Sequence, residues 1–270
     1  SGGSSINTFA GIAITTNAAT AAQGTWQYST DHNAWTNLPT VSTSSAVVLN
    51  ATDYLRFVPA ANFHGTPGSL TARLVDNSGA AIVSGTTADV SNDTTLSGGT
   101  TRYSNSSNAV TLSTTVTNIN DRPTATATTL TATTEDNAAP TGSTISALGF
   151  GYNDNTDNQT AITGGGNAAT AFGGIAIVGN AADASTQGIW QYNTGSGWVT
   201  IAGVNTGGTV ATDSGALRLP TTASIRFLPN VLNYNGTPGS LTVRVANTAT
   251  GFSAASDISA TLADHTSTWS

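Results

Sequence analysis

Gly24-Thr25-Trp26-Gln27-Tyr28, Trp35, Leu55-Arg56-Phe57-Val58-Pro59 and Gly65-Thr66-Pro67-Gly68-Ser69-Leu70-Thr71-Ala72-Arg73 occur twice in this chain. The second set runs, in the same order, Gly188-Ile189-Trp190-Gln191-Tyr192, Trp198, Ile225-Arg226-Phe227-Leu228-Pro229 and Gly236-Thr237-Pro238-Gly239-Ser240-Leu241-Thr242-Val243-Arg244. Trp26 and Trp190 stand 164 positions apart, and Gly65 and Gly236 stand 171 apart. The drift between landmarks places small insertions where loops belong. A block recurring at so long a period makes the chain a tandem array of one module.

Within the block the apolar positions follow a period of two. Trp26 and Tyr28 flank polar Gln27, and Leu55 and Phe57 flank Arg56, the pattern of strands with one face buried. Phe9 to Thr15, and its counterpart Phe172 to Ile177, read as a strand ahead of each block. Ser29 to Asn33 is turn chemistry, so Trp35 begins the return strand of a hairpin, as Trp198 does after the shorter turn Asn193 to Gly197. The Gly65-Thr66-Pro67-Gly68 turn leads into a long strand on which Leu70, Ala72 and Leu74 share a face. Ala109 to Thr117 alternates again, with Val110, Leu112 and Val116 inward. Residues 77–108 are the least repeated and read as a hairpin or long loop. Pro123 to Thr134 reads as a Thr/Ala strand and Ile145 to Phe150 as another. No segment has an apolar period of 3.6, so almost no helix is expected. Many short strands between turn signals predict an all-β protein of tandem β-sandwich modules.

Comparing the copies sets the domain boundaries. The joint Thr117-Asn118-Ile119-Asn120-Asp121-Arg122-Pro123 divides the chain into modules 1–122 and 123–270. Ser1-Gly2-Gly3-Ser4 aligns with Gly164-Gly165-Gly166-Asn167, so the first module lacks a match for 123–162. The stretch from Ser253 to Asp264 aligns loosely with 106–118, so the second module is nearly complete. The first copy is therefore expected to have an unpaired sheet edge and an exposed core face. Either upstream sequence or another chain in a head-to-tail fibre would supply the missing strands.

Composition narrows the function. Of 270 residues only 8% are charged, all seven basic residues are Arg, and the net charge is −7. Nucleic acid and anionic membrane surfaces both call for basic patches, so neither is an expected partner. There is no run of about 18 apolar residues, so no membrane insertion is expected. No basic-then-apolar leader follows Ser1, and the chain reads as an excised or processed piece of something longer. Without Cys or Lys, neither disulfides nor Lys–Asn crosslinks can rigidify it.

The chain's single Glu, Glu135, lies beside Asp136, between Asn118, Asn120 and Asp121 upstream and Asp154 and Asp157 downstream. A calcium ion takes 6–8 hard oxygens from carboxylates, Asn side chains and carbonyls. These seven residues form a candidate calcium set that would stiffen the joint; the alternative is a series of polar turns. The two Trp/Tyr/Trp sets could stack on sugars, but recurrence at strand spacing assigns them to the core. Arg56 and Arg226 read as lying along the sheet surface rather than as anion ligands. His32, His64 and His265 share no spacing with one another or with carboxylates. Gly164-Gly165-Gly166 precedes neither Lys nor a helical pattern, so it is no phosphate loop. No enzyme is expected.

The duplicated block, with the Thr-Glu-Asp start at 134–136 and the Asn-Asp-x-Pro joint at 120–123, resembles the cadherin-like and Ig-like tandem repeats of large bacterial type I-secreted (RTX-type) surface adhesins and biofilm matrix proteins. The resemblance covers roughly residues 9–75 and 124–246. It implies calcium-stabilised β-sandwiches exported to the cell surface or extracellular matrix and repeated to form a stalk or fibre. On that reading the chain is a structural, adhesive repeat, a calcium-stiffened spacer or self-associating fibre segment. Its partners would be neighbouring repeats and other copies of itself head-to-tail. One alternative is an adhesin module gripping a cell-surface sugar or peptide through 77–108 or exposed aromatics. Another is a protomer of a strand-exchanged extracellular filament.

Overall fold

The alternation seen in the sequence becomes antiparallel ladders. The computed structural model describes residues 6–98, 100–206, 212–248 and 269–270, and the chain is all-β. It divides into two compact units, Ser1–Asn118 with Asn158–Asn167, and Ile119–Asp157 with Ala168–Ser270. The chain thus changes unit at 118/119, and residues 158–167 belong with the first unit.

In unit 1 the strands are β1 (Phe9–Asn17), β2 (Gly24–Ser29), β3 (Thr36–Asn37), β4 (Ala46–Asn50), β5 (Tyr54–Pro59), β6 (Leu70–Asp76), β7 (Thr87–Ala88) and β8 (Val110–Leu112). They form a five-stranded sheet, β7-β4-β1-β6-β8, and a three-stranded sheet, β3-β2-β5. Ile14, Val47, Leu49, Leu70 and Ala72 of the first meet Trp26, Leu55 and Phe57 of the second in one apolar core. Unit 2 follows the same plan. It contains β9 (Ser143–Thr144), helix α1 (Ile145–Leu148), β10 (Phe172–Asn180), β11 (Ile189–Asn193), β12 (Val199–Thr200), β13 (Leu217–Pro220), β14 (Ser224–Leu228) and β15 (Leu241–Asn247). Its sheets are β13-β10-β15 and β12-β11-β14-β9. Ile175, Ile177, Leu219 and Val245 pack there against Trp190, Ile225 and Phe227.

The repeat extends to irregularities. β1 pairs with β6 through register shifts between Phe9 and Gly11 and between Ile14 and Thr16; β10 pairs with β15 through shifts between Phe172 and Gly174 and between Ile177 and Gly179. Bulges at matching positions re-aim the same side chains in both units.

One bracket joins the sheets of each unit. The buried Gln23 side chain accepts hydrogen bonds from Thr20 N (2.8 Å) and Gly68 N (3.1 Å), while Trp26 Nε1 donates to Gly68 O (3.0 Å). In unit 2 Gln187 Oε1 accepts from Asp183 N and Gly239 N (both 3.0 Å), and Trp190 Nε1 donates to Gly239 O (2.8 Å). Both glycines are required by close approach: a Cβ would lie 2.1 Å from Ala18 O at Gly68 and 2.1 Å from Ala181 O at Gly239.

Residues from 77–98 and 100–108 cover the outer face of the five-stranded sheet. Val90, Ile82, Ala88 and Tyr103 pack on Ala13, Ala46, Val48 and Val75, so this sheet is buried on both sides. Arg73 points into that layer and pairs with Asp93 at 3.4 Å. Asp93 also accepts from Ser97 Oγ, Ser106 N and Ser106 Oγ.

Several expectations are corrected. Ile145 to Phe150 is not a strand: after the two residues of β9 the chain makes one helical turn. Thr144 Oγ1 accepts Ala147 N (3.2 Å) to start it, and Gly149 at φ 60° ends it. Among the described residues Pro123 to Thr134 joins no ladder beyond the isolated Thr124–Asn153 bridge, because only Leu130 in the run has an apolar side chain large enough to hold it to the core. Leu74 shares the inward face of Leu70 and Ala72 but is 39% exposed. Ser253 to Asp264 lies outside the described residues.

Hydrogen bonds from Ser106 and Ser97, with Arg73 adding to them, hold the Asp93 carboxyl below its usual pKa. A lowered folded-state pKa contributes stability that is present above the unfolded value of about 3.9 and is lost as pH falls through the folded value. Acid titration of unfolding should therefore show unit 1 weakening below about pH 4. Asp93→Asn should flatten that dependence while lowering stability at neutral pH.

Candidate functional site

The residues best placed to do chemistry are those the repeat holds constant outside the core. Side chains alternate across β2 and β5, so with Trp26 opposite Phe57 on the inside, Gln27 and Arg56 meet on the outside. Gln27 Oε1 accepts Arg56 Nε at 2.8 Å, and the guanidinium lies 4.0 Å from the centre of the Trp35 ring. Unit 2 repeats this: Gln191 Oε1 accepts Arg226 Nε at 2.8 Å, and Arg226 stacks 4.2 Å from Trp198. Trp35 and Trp198 are half-buried beneath these arginines, a correction to their assignment to the core. Each sits just before a two-residue return strand, where its flat face is covered by the cation from the strand on the far side of β2 or β11. Trp26 and Trp190 do pack into the cores, with Phe57 and Phe227 edge-on at 5.4 Å in each. The arginines lie along the sheet, each held by a Gln.

The seven candidate calcium ligands fall in separate places. Asn118 is exposed at the end of unit 1. Glu135 and Asp136 are exposed beside the 233–235 turn, where Asp136 Oδ1 accepts Asn233 N (3.0 Å) and Glu135 Oε2 accepts Asn235 Nδ2 (3.4 Å). The other four gather at one corner of unit 2. Asp157, 1% exposed, accepts the Asp121 N–H with both carboxylate oxygens at 3.1 Å. Asn120 Nδ2 donates to Asp121 O, and its Oδ1 accepts Asn247 Nδ2. Asp154, 6% exposed, takes Thr170 N and Oγ1 on Oδ2, while its Oδ1 is buried without a hydrogen-bond partner among the described residues. Burial, with the charges of Asp154 and Asp157 adding to it, pushes the nearby Tyr152 phenol up to about 12. Among the described residues no three His, Asp or Glu side chains come close enough to form a metal cluster.

A cavity of about 860 Å³ opens in unit 2, walled by Leu130, Phe150, Trp190, Phe227, Tyr234 and Val243. In unit 1 the corresponding flank of β6 is closed by β8, with Val110 and Leu112 on the core. The cavity lies along the flank of β15 that corresponds to the β8 side of β6 in unit 1.

The histidines and the Gly-rich loop serve packing. His32 stacks on Tyr54 at 4.3 Å, and buried His64 lies against Gly166. His265 lies outside the described residues. Gly164, Gly165 and Gly166 run beside residues 64–66: Thr66 N donates to Gly164 O, Gly166 N donates to His64 O, and Gln23 Nε2 donates to Thr163 O at 2.6 Å. Gln23 and Gln187 went unrecognised in the sequence. The signal was available, since each stands directly before the repeated Gly-x-Trp-Gln-Tyr.

Trp26→Ala should cost about 3–5 kcal/mol, as for other large core aromatics. Trp35→Ala, which loses an exposed cation stack, should cost only about 0.5–1 kcal/mol. Denaturant unfolding of the two variants checks the division of labour between the tryptophans. Comparison of the chain with protein-family models, curated proteins and solved structures finds no match.

Proposed function

We propose that this chain is a structural repeat of an exported bacterial surface or matrix protein, an Ig-like spacer whose work is mechanical. The observation that carries the reading is the use each unit makes of its repeated residues. Gln23, Trp26 and the turn glycine Gly68 engage one another, as do Gln27, Arg56 and Trp35, and unit 2 repeats both sets of contacts. A surface rich in Ser, Thr and Asn, with few charges, suits a protein that works in the extracellular medium among copies of itself.

Calcium belongs to this reading in a narrower form than the sequence implied. Asp154 is the residue that fits a cation, since its buried Oδ1 has no protein partner among the described residues. Asp157, Asp121 and Asn120 lie at the same corner, whereas Glu135 and Asp136 are engaged elsewhere. A bound ion there would fix the segment entering unit 2, leaving the adhesive role to the surface.

Thermal unfolding with calcium and with excess chelator tests the proposal. Calcium at a hundredfold excess over its Kd stabilises by about 2.7 kcal/mol by mass action, enough to raise the Tm by several degrees. Asp154→Asn should abolish the rise. No rise with the unmodified chain would remove calcium from the function. Saturable binding to one sugar or peptide in a panel would replace the spacer with a gripping module.

A further inference from the structure

Unit 2 shows what unit 1 lacks. Along β14 lies the segment from Pro140 to Tyr152. Arg226 Nη1 donates to Pro140 O at 3.0 Å, Gly142 fits against Ile225, and β9 pairs Ser143 with Ile225 and Thr144 with Ser224. Ile145 N and Ser146 N donate to Ala223 O and Thr221 O. Beyond the edge, Ile145 and Phe150 enter the core, and Phe150 and Tyr152 flank Phe172 at 6.4 and 5.4 Å. Under this cover Ile175 and Val245 are fully buried.

Among the described residues the same positions in unit 1 stand open. β5, the counterpart of β14, is the edge of its sheet, with no strand beyond it among the described residues. The carbonyls of Ala51 and Asp53, which match Thr221 and Ala223, accept no backbone hydrogen bond from a further segment among the described residues. Arg56 repeats the Arg226 stack and Gln contact, and among the described residues it has no acceptor equivalent to Pro140 O. Phe9 is 59% exposed where Phe172 is half-buried, and Leu74 is 39% exposed where Val245 is fully buried. Edge donors and acceptors, a bare apolar face and an unspent guanidinium donor therefore coincide.

We propose that unit 1 is an acceptor site for a polypeptide segment of the Pro140–Tyr152 kind, presented by another module of the same repeat. The incoming chain adds a strand to β5, returns its Pro carbonyl to Arg56, and lays its Ile- and Phe-type side chains over Ile12, Leu74 and Phe9. Backbone pairing supplies affinity, and the alternate apolar side chains supply specificity. The inference goes beyond the spacer reading and does not depend on calcium.

The test uses the whole 270-residue chain and a labelled synthetic peptide of residues 139–153 (APTGSTISALGFGYN). Fluorescence anisotropy should show saturable binding, and hydrogen exchange should slow in residues 51–56. Leu74→Asp, at an exposed position and checked for folding by circular dichroism, should weaken binding at least tenfold. A peptide carrying Ile145→Ser and Phe150→Ser should not bind. Absence of binding at millimolar peptide overturns the proposal. So does binding indifferent to Leu74→Asp, which would mean exchange into unit 2. Self-association relieved by Leu74→Asp without peptide binding overturns it too, and assigns the face to a second copy packed against the first.

Discussion

The peptide group of the turn glycine before β6, and its twin before β15, is the constraint from which each unit is built. Both its N–H and its C=O are taken by side chains of the segment leading into the opposite sheet, the N–H by Gln and the C=O by the Trp indole. Buried amides left without partners are costly, so the turn can sit only where both partners reach it. The glycine leads directly into the strand that pairs with β1 or β10, so fixing the turn also fixes the register of the central pair. A one-residue slip would turn the inward set of that strand outward. The absence of a Cβ is what lets the turn press against Ala18 or Ala181. The repeated Gly-Thr-Pro-Gly and the repeated Gln-Gly-x-Trp are two halves of one contact.

Much of this was legible before any coordinates. Alternation at Trp26-Gln27-Tyr28 and Leu55-Arg56-Phe57 gives strands, and two copies of it give two sandwiches. The pattern fails where it cannot tell which side of a sheet a residue faces. Trp35 and Trp198 look like core because they are large and recur, yet a tryptophan within reach of an arginine from the same sheet can be covered from outside. Ile145 to Phe150 looks like a strand because Ile, Leu and Phe punctuate it. The deciding features were Thr144 and Gly149, a cap and a left-handed stop around a single turn. Thr and Ala between 123 and 134 favour extended chain but bring too little apolar surface to hold a ladder.

The acidic candidates show a different limit. Asn120, Asp121, Asp154 and Asp157 converge because the chain returns to the same corner of unit 2. Glu135 and Asp136 lie between them in sequence and still end at the 233–235 turn. Nearness along the chain says little about nearness across a sandwich, where a strand carries neighbouring residues far apart. The orphaned Asp154 oxygen is a property of packing that no spacing could reveal. The two copies in one chain serve as each other's control. What differs between them, above all the open β5 edge and the filled β14 edge, is as informative as what they share.

The position of residues 158–167 sets the order in which the chain can fold. They hydrogen-bond to residues 64–66 and to Gln23, yet lie beyond the whole 119–157 stretch in sequence. A ribosome delivers the first 118 residues well before it delivers these. During synthesis the His64 carbonyl, the Thr66 N–H and Gln23 Nε2 of unit 1 wait for their partners until residues 163–166 have emerged. Contacts of such long sequence separation slow folding and prolong the exposure of incomplete edges. The nascent chain therefore passes through an interval in which its first sandwich is nearly assembled but unsealed.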